Sequence, residues 1–387
     1  MGSPSAGRLE LPQFKGRPGW EFTDISGLDL AAYQPVASAE QAEPADRLFD
    51  LAGAGDLPDG VIVTSIDEAA REHAELLGRH LGSVVSADDV FTLLNDSAQF
   101  RAGSFVYVPR GVVLEQPIVL ASVQATAGTL LHQRTLIVLD EGAQAEVWEQ
   151  YLSGSRELDG VFNVVTELVV GDGARLRYVC GQALSEKSWI FGAQRAEVSR
   201  AGYLDWVALG FGSARGRLRM ETKLAGEGAE ARVTGAYATH GRQHIDFDTT
   251  QEHAAPHTTS DLAFRGVLQG RSTAVWKGNI IVDPGAQKTD AFQESRNLLI
   301  SKRAHADAIP GLEIQANDVR CTHAAAVAQV DPEQLFYLRS RGLPEEVAKR
   351  LVIEGFLAAL VERFEQGPVR EHLGAALEQR LALILSE

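Results

Sequence analysis

The chain has 387 residues, a formal net charge of −16, a hydrophobic share of 45% and an aromatic share of 7%. This length predicts two or three domains or one large β-rich domain. The acidic balance argues against a general nucleic-acid binder, because neutralising phosphates requires clustered Lys and Arg, and the sequence has no such cluster.

The apolar segments and the cysteines indicate the compartment. The longest apolar stretch, residues 351–361, is short and interrupted by Glu354, so we expect no membrane-spanning helix and no membrane partner. The first ten residues lack the hydrophobic region of a secretion signal. The two cysteines, Cys180 and Cys321, do not make a disulfide framework, which suits a reducing compartment. We therefore expect a cytoplasmic protein.

The first zone is an N-terminal extended and helical region over residues 1–99. Residues 1–43 are rich in Gly, Pro, Ser and Ala and show little periodicity, so we expect them to be extended or loosely attached. Residues 65–80 are predicted to form a helix that Ser65 caps and whose first turn is acidic. A second, short helix is predicted to begin in residues 90–95.

The second zone, residues 100–330, has the pattern of β-strands and a weak internal repeat. Copies of the repeat begin at Gly142, Gly173, Gly202, Gly228 and Gly270, which gives steps of 31, 29, 26 and 42 residues. The best copies alternate apolar and polar positions, which predicts strands with one buried face, and the leading glycine indicates a turn. This spacing slightly favours a solenoid of stacked rungs. An antiparallel sandwich of hairpins could give similar spacing.

The third zone, residues 331–387, is predicted to be helical. Asp331 and the proline after it are typical of a helix start, Gly342 ends that helix, and Pro344 begins the next. A last amphipathic helix follows Gly367. A helical unit at the end of a β body can dock a partner or can simply cap the β core. Composition does not decide between these two roles.

Histidines are concentrated in one part of the β zone. His240, His244, His253 and His257 fall within eighteen residues, and Asp246 lies on the same predicted strand face as His244. One interpretation is structural, with the carboxylate fixing the tautomer of the histidine. In the other, His244, Asp246 and His253 form the site of a β-solenoid enzyme that is metal-dependent or acts on polysaccharides. The chain has no Walker A motif for a nucleotide.

Near the end of the β zone, Cys321 is followed two residues later by His323. On a strand, residues i and i+2 project from the same face about 7 Å apart, so the thiol and the imidazole would point together. Tetrahedral metal coordination usually needs about four ligands, and no second thiol lies nearby in the sequence. The pair therefore looks like half of a metal site, and another chain could supply the other half.

Several runs between Arg271 and Phe364 resemble one known family. They are Trp276-Lys-Gly-Asn-Ile-Ile-Val282, Ala286-Gln-Lys-Thr-Asp-Ala-Phe-Gln293, Asn297-Leu-Leu-Ile-Ser301, Pro310-Gly-Leu-Glu-Ile314, Asp318-Val-Arg-Cys-Thr-His323, Leu335-Phe-Tyr-Leu-Arg-Ser-Arg-Gly342 and Gly355-Phe356. The chain resembles the SufB/SufD family of iron–sulfur cluster assembly proteins, and its length and single Cys-x-His look most like the SufD type. Ala324 departs from the family, which often has Gly at this position, and it could alter a turn there.

The resemblance implies a mainly β fold, with a right-handed parallel β-helix (β-solenoid) core in residues 100–330 flanked by N-terminal and C-terminal helical segments. It implies a subunit without enzymatic activity in a SufBCD-type complex that scaffolds iron–sulfur cluster assembly and transfer. The implied partners are a SufB-like scaffold subunit and a SufC-like ABC ATPase. In isolation the chain could form a homodimer.

The family pattern also implies site residues. His323 would face the SufB-like partner with Cys321 beside it, and both are candidate ligands of a transient iron–sulfur cluster shared with that partner. Residues 331–387 would form the partner-docking domain, in which the helices of 331–365 seat the ATPase. The candidate docking residues are Leu335, Phe336, Tyr337, Arg339, Arg341, Gly342, Gly355 and Phe356.

Overall fold

The structure, a computed structural model, describes residues 11–12, 19–36, 43–51, 53, 55–98 and 102–385. Much of the segment predicted to be extended or loosely attached, namely residues 1–10, 13–18 and 37–42, lies outside the described residues. The protein is mainly β, with a parallel β-solenoid of about eight turns and helices at both ends, so the predicted fold class is confirmed.

The elements follow in chain order. The N-terminal part contains a 3-10 helix (Leu30–Ala32), the strands β1 (Gln34–Val36) and β2 (Ile62–Ser65), and the helices α1 (Ile66–Glu72), α2 (Ala74–His80) and α3 (Val90–Ser97). The β body contains β3 (Ala102–Val108), β4 (Ile118–Gln124), β5 (Thr129–Leu139), β6 (Gln144–Ser153), β7 (Gly160–Val170), β8 (Arg175–Ala183), β9 (Trp189–Val198), β10 (Tyr203–Gly210), β11 (Arg215–Leu224), β12 (Glu230–Thr239), β13 (His244–His253), β14 (Thr259–Leu268), β15 (Thr273–Val282), β16 (Asp290–Leu299), β17 (His305–Ile314) and β18 (Arg320–Gln329). The C-terminal helices are α4 (Pro332–Ser340), α5 (Glu345–Val361) and α6 (Pro368–Leu385).

The solenoid consists of two sheets that the chain visits alternately. The odd-numbered strands from β3 to β17 form one sheet, and the even-numbered strands from β4 to β18 form the other. Successive turns pair in parallel and in register, so a residue lies directly above its equivalent in the previous turn. Alternate side chains point inward and fill the space between the sheets, which is the buried face that the repeat predicts. These parallel pairings exclude the antiparallel sandwich.

The glycine-led repeat coincides with one corner of the solenoid. Residues with positive φ at this corner are Gly111, Gly142, Gly173, Ala201, Gly228, His257 and Lys288. The backbone N–H of such a residue donates to a carbonyl of the next turn, as Gly142 does to Asp172 at 2.8 Å. Gly202 therefore lies one residue past the true corner position. Gly270 belongs to the other corner, together with Gly241, which explains the long last step in the sequence spacing.

The N-terminal helices lie outside the odd-numbered sheet. Ser65 caps α1 by accepting from the Glu68 backbone N–H at 3.2 Å, as the sequence predicts. The single helix predicted over residues 65–80 is instead two helices, because His73 leaves the helical region with φ −130° and ψ 34°. The short helix predicted at residues 90–95 is α3, and its Phe91 stacks on Phe191 of β9.

The C-terminal helices cover the outer face of the even-numbered sheet. Asp331 caps α4 by accepting from the Glu333 backbone N–H at 2.8 Å. Helices α5 and α6 pack on the sheet through buried apolar side chains, which include Ile353, Leu357 and Leu373. Among the described helices, none has both the length and the apolar character that crossing a membrane would require.

Candidate functional site

The last turn of the solenoid is open. Strands β17 and β18 are each the outermost strand of their sheet. Leu312 and Ile314 lie in register with Ile280 and Val282 of the previous turn, which are fully buried. Without a further turn to cover them, Leu312 is 38% exposed, Ile314 41% and, on β18, Val327 43%. We call the inward-facing residues of β17 and β18 the open end; it is apolar at these three positions.

Cys321 and His323 both lie at this open end. In β18 they are in register with Ala291 and Gln293, whose side chains are buried in the solenoid interior. The two candidate ligands therefore project from the same face of the strand, toward the interior side of the last turn. Ala324 lies within the continuous strand β18, so no turn exists there for it to alter.

The two candidate ligands have different surroundings. The Cys321 side chain is partly buried and packs against an apolar cluster that contains Ile280 and Ala291. Burial, together with the Asp290 carboxylate, raises the pKa of the Cys321 thiol. His323 is exposed. Because a cysteine binds a metal as the thiolate, Cys321 has to lose its proton before it can act as a ligand.

The structure does not bring His253 together with His244 and Asp246. His244 and Asp246 project from the outer face of β13, whereas His253 lies at the far end of that strand with its side chain inside the solenoid. Both ring nitrogens of His253 contact hydroxyls, those of Thr258 at 2.7 Å and Ser260 at 2.9 Å. Within the described residues, no three His, Cys, Asp or Glu side chains are grouped closely enough to hold a metal ion.

His244 and Asp246 are held by a residue from the N-terminal segment. Thr23 Oγ1 donates to Asp246 at 2.6 Å and lies 3.2 Å from Nε2 of His244. Burial lowers the pKa of His244 to about 4 and raises the pKa of Asp246 to about 6. The surroundings of the pair are thus structural, but the predicted hydrogen bond between His244 and Asp246 is not among the contacts of the described residues: Thr23 joins the two side chains, and Nδ1 of His244 lies 2.7 Å from the Thr273 hydroxyl. Sequence reasoning missed Thr23 because it lies more than 220 residues away in the chain.

The candidate docking residues lie on α4, on the α4–α5 turn and on α5. Six are exposed: Phe336, Tyr337, Arg339, Arg341, Gly342 and Gly355. The other two, Leu335 and Phe356, are partly buried. The guanidinium carbon of Arg265, in the β body, lies 5.0 Å from the centre of the Phe356 ring. Phe356 therefore helps to attach α5 to the sheet.

Two further apolar residues on α5 are exposed, and the family motifs do not include them. Val347 and Leu351 lie one helical turn apart and add to Phe336 and Tyr337 on the preceding helix. We call these four residues the α4–α5 surface. Exposed large apolar side chains on two successive helices are typical of a protein–protein contact. Their helical spacing was visible in the sequence, but spacing alone does not show which side of α5 the sheet covers.

Comparisons with known proteins agree with this fold. The family model of the SUF-system iron–sulfur cluster assembly SufBD core domain matches residues 122–356, and that of the SufBD N-terminal region matches residues 46–120. The chain is 33% identical over 325 residues to the iron–sulfur cluster assembly protein SufD of Bacillus subtilis, an alignment that covers 83% of this chain and 74% of that protein.

Two mycobacterial proteins are similar over comparable or greater lengths. An iron–sulfur cluster assembly SufBD family protein of Mycobacterium tuberculosis is 30% identical over 294 residues, or 74% of this chain and 73% of that protein. One of Mycobacterium leprae is 28% identical over 374 residues, or 93% of this chain and 94% of that protein. The chain therefore belongs to the SufBD family of iron–sulfur cluster assembly proteins and is SufD-like.

Proposed function

We propose that this chain is the subunit without enzymatic activity of a cytoplasmic SufBCD-type complex and that it pairs with a SufB-like scaffold subunit through the open end. The observation that carries the proposal is the uncovered last turn. Among the described strands, none pairs with the outer edge of β17 or of β18, and the apolar residues between these two strands are exposed. An exposed strand edge is a template for a strand of another chain, and apolar residues beside it add affinity.

His323 supplies one nitrogen ligand to the nascent cluster at this interface, and the partner supplies thiolates. The cluster is the cargo of the complex. This role is supported by the position of His323, which is exposed among the apolar residues of the open end. Cys321 is the second candidate, but its raised pKa makes it the weaker one at neutral pH. An imidazole in place of a thiolate favours looser binding, which suits a cluster that has to be passed on.

The α4–α5 surface docks the SufC-like ATPase. Its four exposed apolar residues lie on helices that are fixed to the even-numbered sheet by α5, so movement of a bound ATPase can be transmitted to the β body. Phe336 is 74% exposed, which makes it the natural anchor of this contact. The docking helices and the open end both follow β16 in the chain, and β18 leads directly into α4.

The pairing at the open end can be tested with one charged substitution. We expect Val327→Lys to abolish co-purification with the SufB-like subunit, because pairing would bury the new charge in an apolar interface. The measurement is anaerobic co-expression of all three subunits followed by native mass spectrometry, which gives the stoichiometry and the bound iron. The isolated chain should likewise lose any homodimer that forms through the same edge.

Val113→Lys is the matched control. Val113 is also apolar and 53% exposed, but it precedes β4 and pairs with the second turn, at the opposite end of the solenoid. We expect this variant to assemble normally. If Val327→Lys assembles as well as Val113→Lys, the open end is not the partner interface.

A further inference from the structure

We propose that Gln293 positions the imidazole of His323 by accepting a hydrogen bond from one of its ring nitrogens. The other nitrogen then faces outward with its lone pair free. This inference rests on the proposed role of His323 as a ligand at the open end. Gln293 does not contact the cluster itself, so it is a positioning residue and acts through His323.

The register of the solenoid places the two residues one above the other. Gln293 of β16 is the direct partner of His323 in β18, and both side chains point to the interior side. Neighbouring strands are about 4.8 Å apart, within reach of two side chains of this length. In the two preceding turns the same position holds the apolar residues Leu262 and Val233. A polar side chain therefore replaces an apolar one in the turn directly beneath the histidine.

Among the described residues, the nitrogen of the Gln293 side-chain amide is hydrogen-bonded, whereas its oxygen is not. Its Nε2 donates to the backbone carbonyls of Gly278 at 3.2 Å and Gly311 at 3.1 Å, which fixes the orientation of the amide. Its carbonyl Oε1 is buried and has no hydrogen-bond partner among the described residues. A buried carbonyl without a donor is destabilising, so this oxygen favours any N–H that can reach it.

The Gln293 carbonyl oxygen lies in the space that the absent side chain of Gly278 leaves. A Cβ at Gly278 would lie 2.7 Å from Gln293 Oε1 and closer still to the ring of Trp276. Any side chain at that position would therefore displace the amide. Gly278 and its hydrogen bond hold the Gln293 amide in place, and His323 follows Gln293 in register on the neighbouring strand β18.

A hydrogen bond of this kind has a known chemical effect on histidine. When one ring nitrogen donates to an acceptor, the neutral ring is held in a single tautomer, and the other nitrogen presents its lone pair to a metal. In the described part of the chain, neither the His323 ring nor the Gln293 carbonyl oxygen has a hydrogen-bond partner, so each is available to the other. The Gln293 carbonyl can therefore select which nitrogen is presented to the partner subunit.

The test measures the tautomer of His323 in the isolated chain. Long-range proton–nitrogen spectra of the histidine-labelled protein at alkaline pH give the ratio of the two neutral tautomers, with His323→Ala assigning the signal. We expect Gln293→Met, which keeps the length but removes the carbonyl, to change this ratio roughly fivefold, the factor that one hydrogen bond gives.

Ser295→Ala is the control, since Ser295 is a buried polar residue of β16 that lies beneath Ala325 and not beneath His323. It should leave the ratio unchanged. An unchanged ratio in a folded Gln293→Met variant would overturn the inference. Cluster loading of the full complex should fall with Gln293→Met and stay near normal with Ser295→Ala. Should His323→Ala load clusters normally, the proposed function fails, whereas the tautomer measurement still decides the role of Gln293.

Discussion

His323 and Cys321 lie two residues apart but in different electrostatic surroundings. The Cys-x-His spacing was sufficient to predict that both side chains share one face of a strand. The difference between them arises from residues that are distant in sequence, since Cys321 packs against Ile280 of β15 and lies near Asp290 of β16. These neighbours stabilise the neutral thiol, while His323 stays exposed. The structure thus shifts the weight of the proposed site toward the histidine.

A second titratable group is buried deep in the solenoid, in a cluster that the sequence did not indicate. The carboxyl group of Glu149 is fully buried and accepts from the Thr135 hydroxyl at 2.6 Å and from the Tyr178 hydroxyl. Cys180, in register with Glu149 one turn later, is also inside. Burial raises the pKa of Glu149 above its ordinary value of 4.5, although the hydrogen bonds oppose this change.

The raised pKa predicts the pH dependence of stability. Because the folded state holds the Glu149 proton more tightly than the unfolded chain does, the contribution of this group is fully present below about pH 4.5 and is lost as the pH rises through the folded pKa. The Glu149→Gln variant cannot ionise at this position and so does not lose stability in this way. The urea midpoint of the variant should therefore exceed that of the wild type at neutral pH. The advantage should shrink as the pH falls toward 4.5. A midpoint difference that is independent of pH would contradict the account.

At the level of secondary-structure elements, the proposed docking contact lies on the helices after β18. We expect Phe336→Glu to weaken binding of the SufC-like ATPase by about 2 kcal/mol, or roughly thirtyfold, because an exposed aromatic anchor is replaced by a charge. Binding can be measured by calorimetry with the purified ATPase. Folding should be unaffected, since α4 has no buried residue.

Leu383→Glu on α6 is the control for this prediction, because Leu383 is exposed but lies outside the α4–α5 surface. It should bind the ATPase normally. A charge at Phe356 is a poorer test, since this ring also packs on the β body beneath Arg265. Equal affinity of Phe336→Glu and the wild type would rule out α4 as part of the docking contact.

The strands were predictable from the sequence because the corners between them carry a local signal, a leading glycine. Each turn needs a residue with positive φ at the same corner, and glycine takes this conformation at little cost. Where Ala201, His257 and Lys288 take its place, the sequence signal is lost although the corner is present. The repeat therefore appeared weaker and less regular in the sequence than the solenoid is in the structure.

At the scale of the whole molecule, the features that could not be predicted are those that join distant segments. Thr23 bonds to Asp246, and the segment around Leu48 and Phe49 donates to Gln150 across about 100 residues. No local pattern encodes such contacts. Likewise, the position of Gln293 beneath His323 depends on the register between two turns. Sequence could predict the ligand candidates, but the stacking of turns decides which residues surround them.

We propose that the open end, through His323, supplies a ligand to a cluster shared with a partner chain. The most direct measurement is the iron and acid-labile sulfide bound per purified three-subunit complex, with His323→Ala compared with the wild type under anaerobic conditions. We expect normal assembly with both partners and a loss of cluster build-up of roughly tenfold or more. Normal cluster loading on a correctly assembled His323→Ala complex would contradict it.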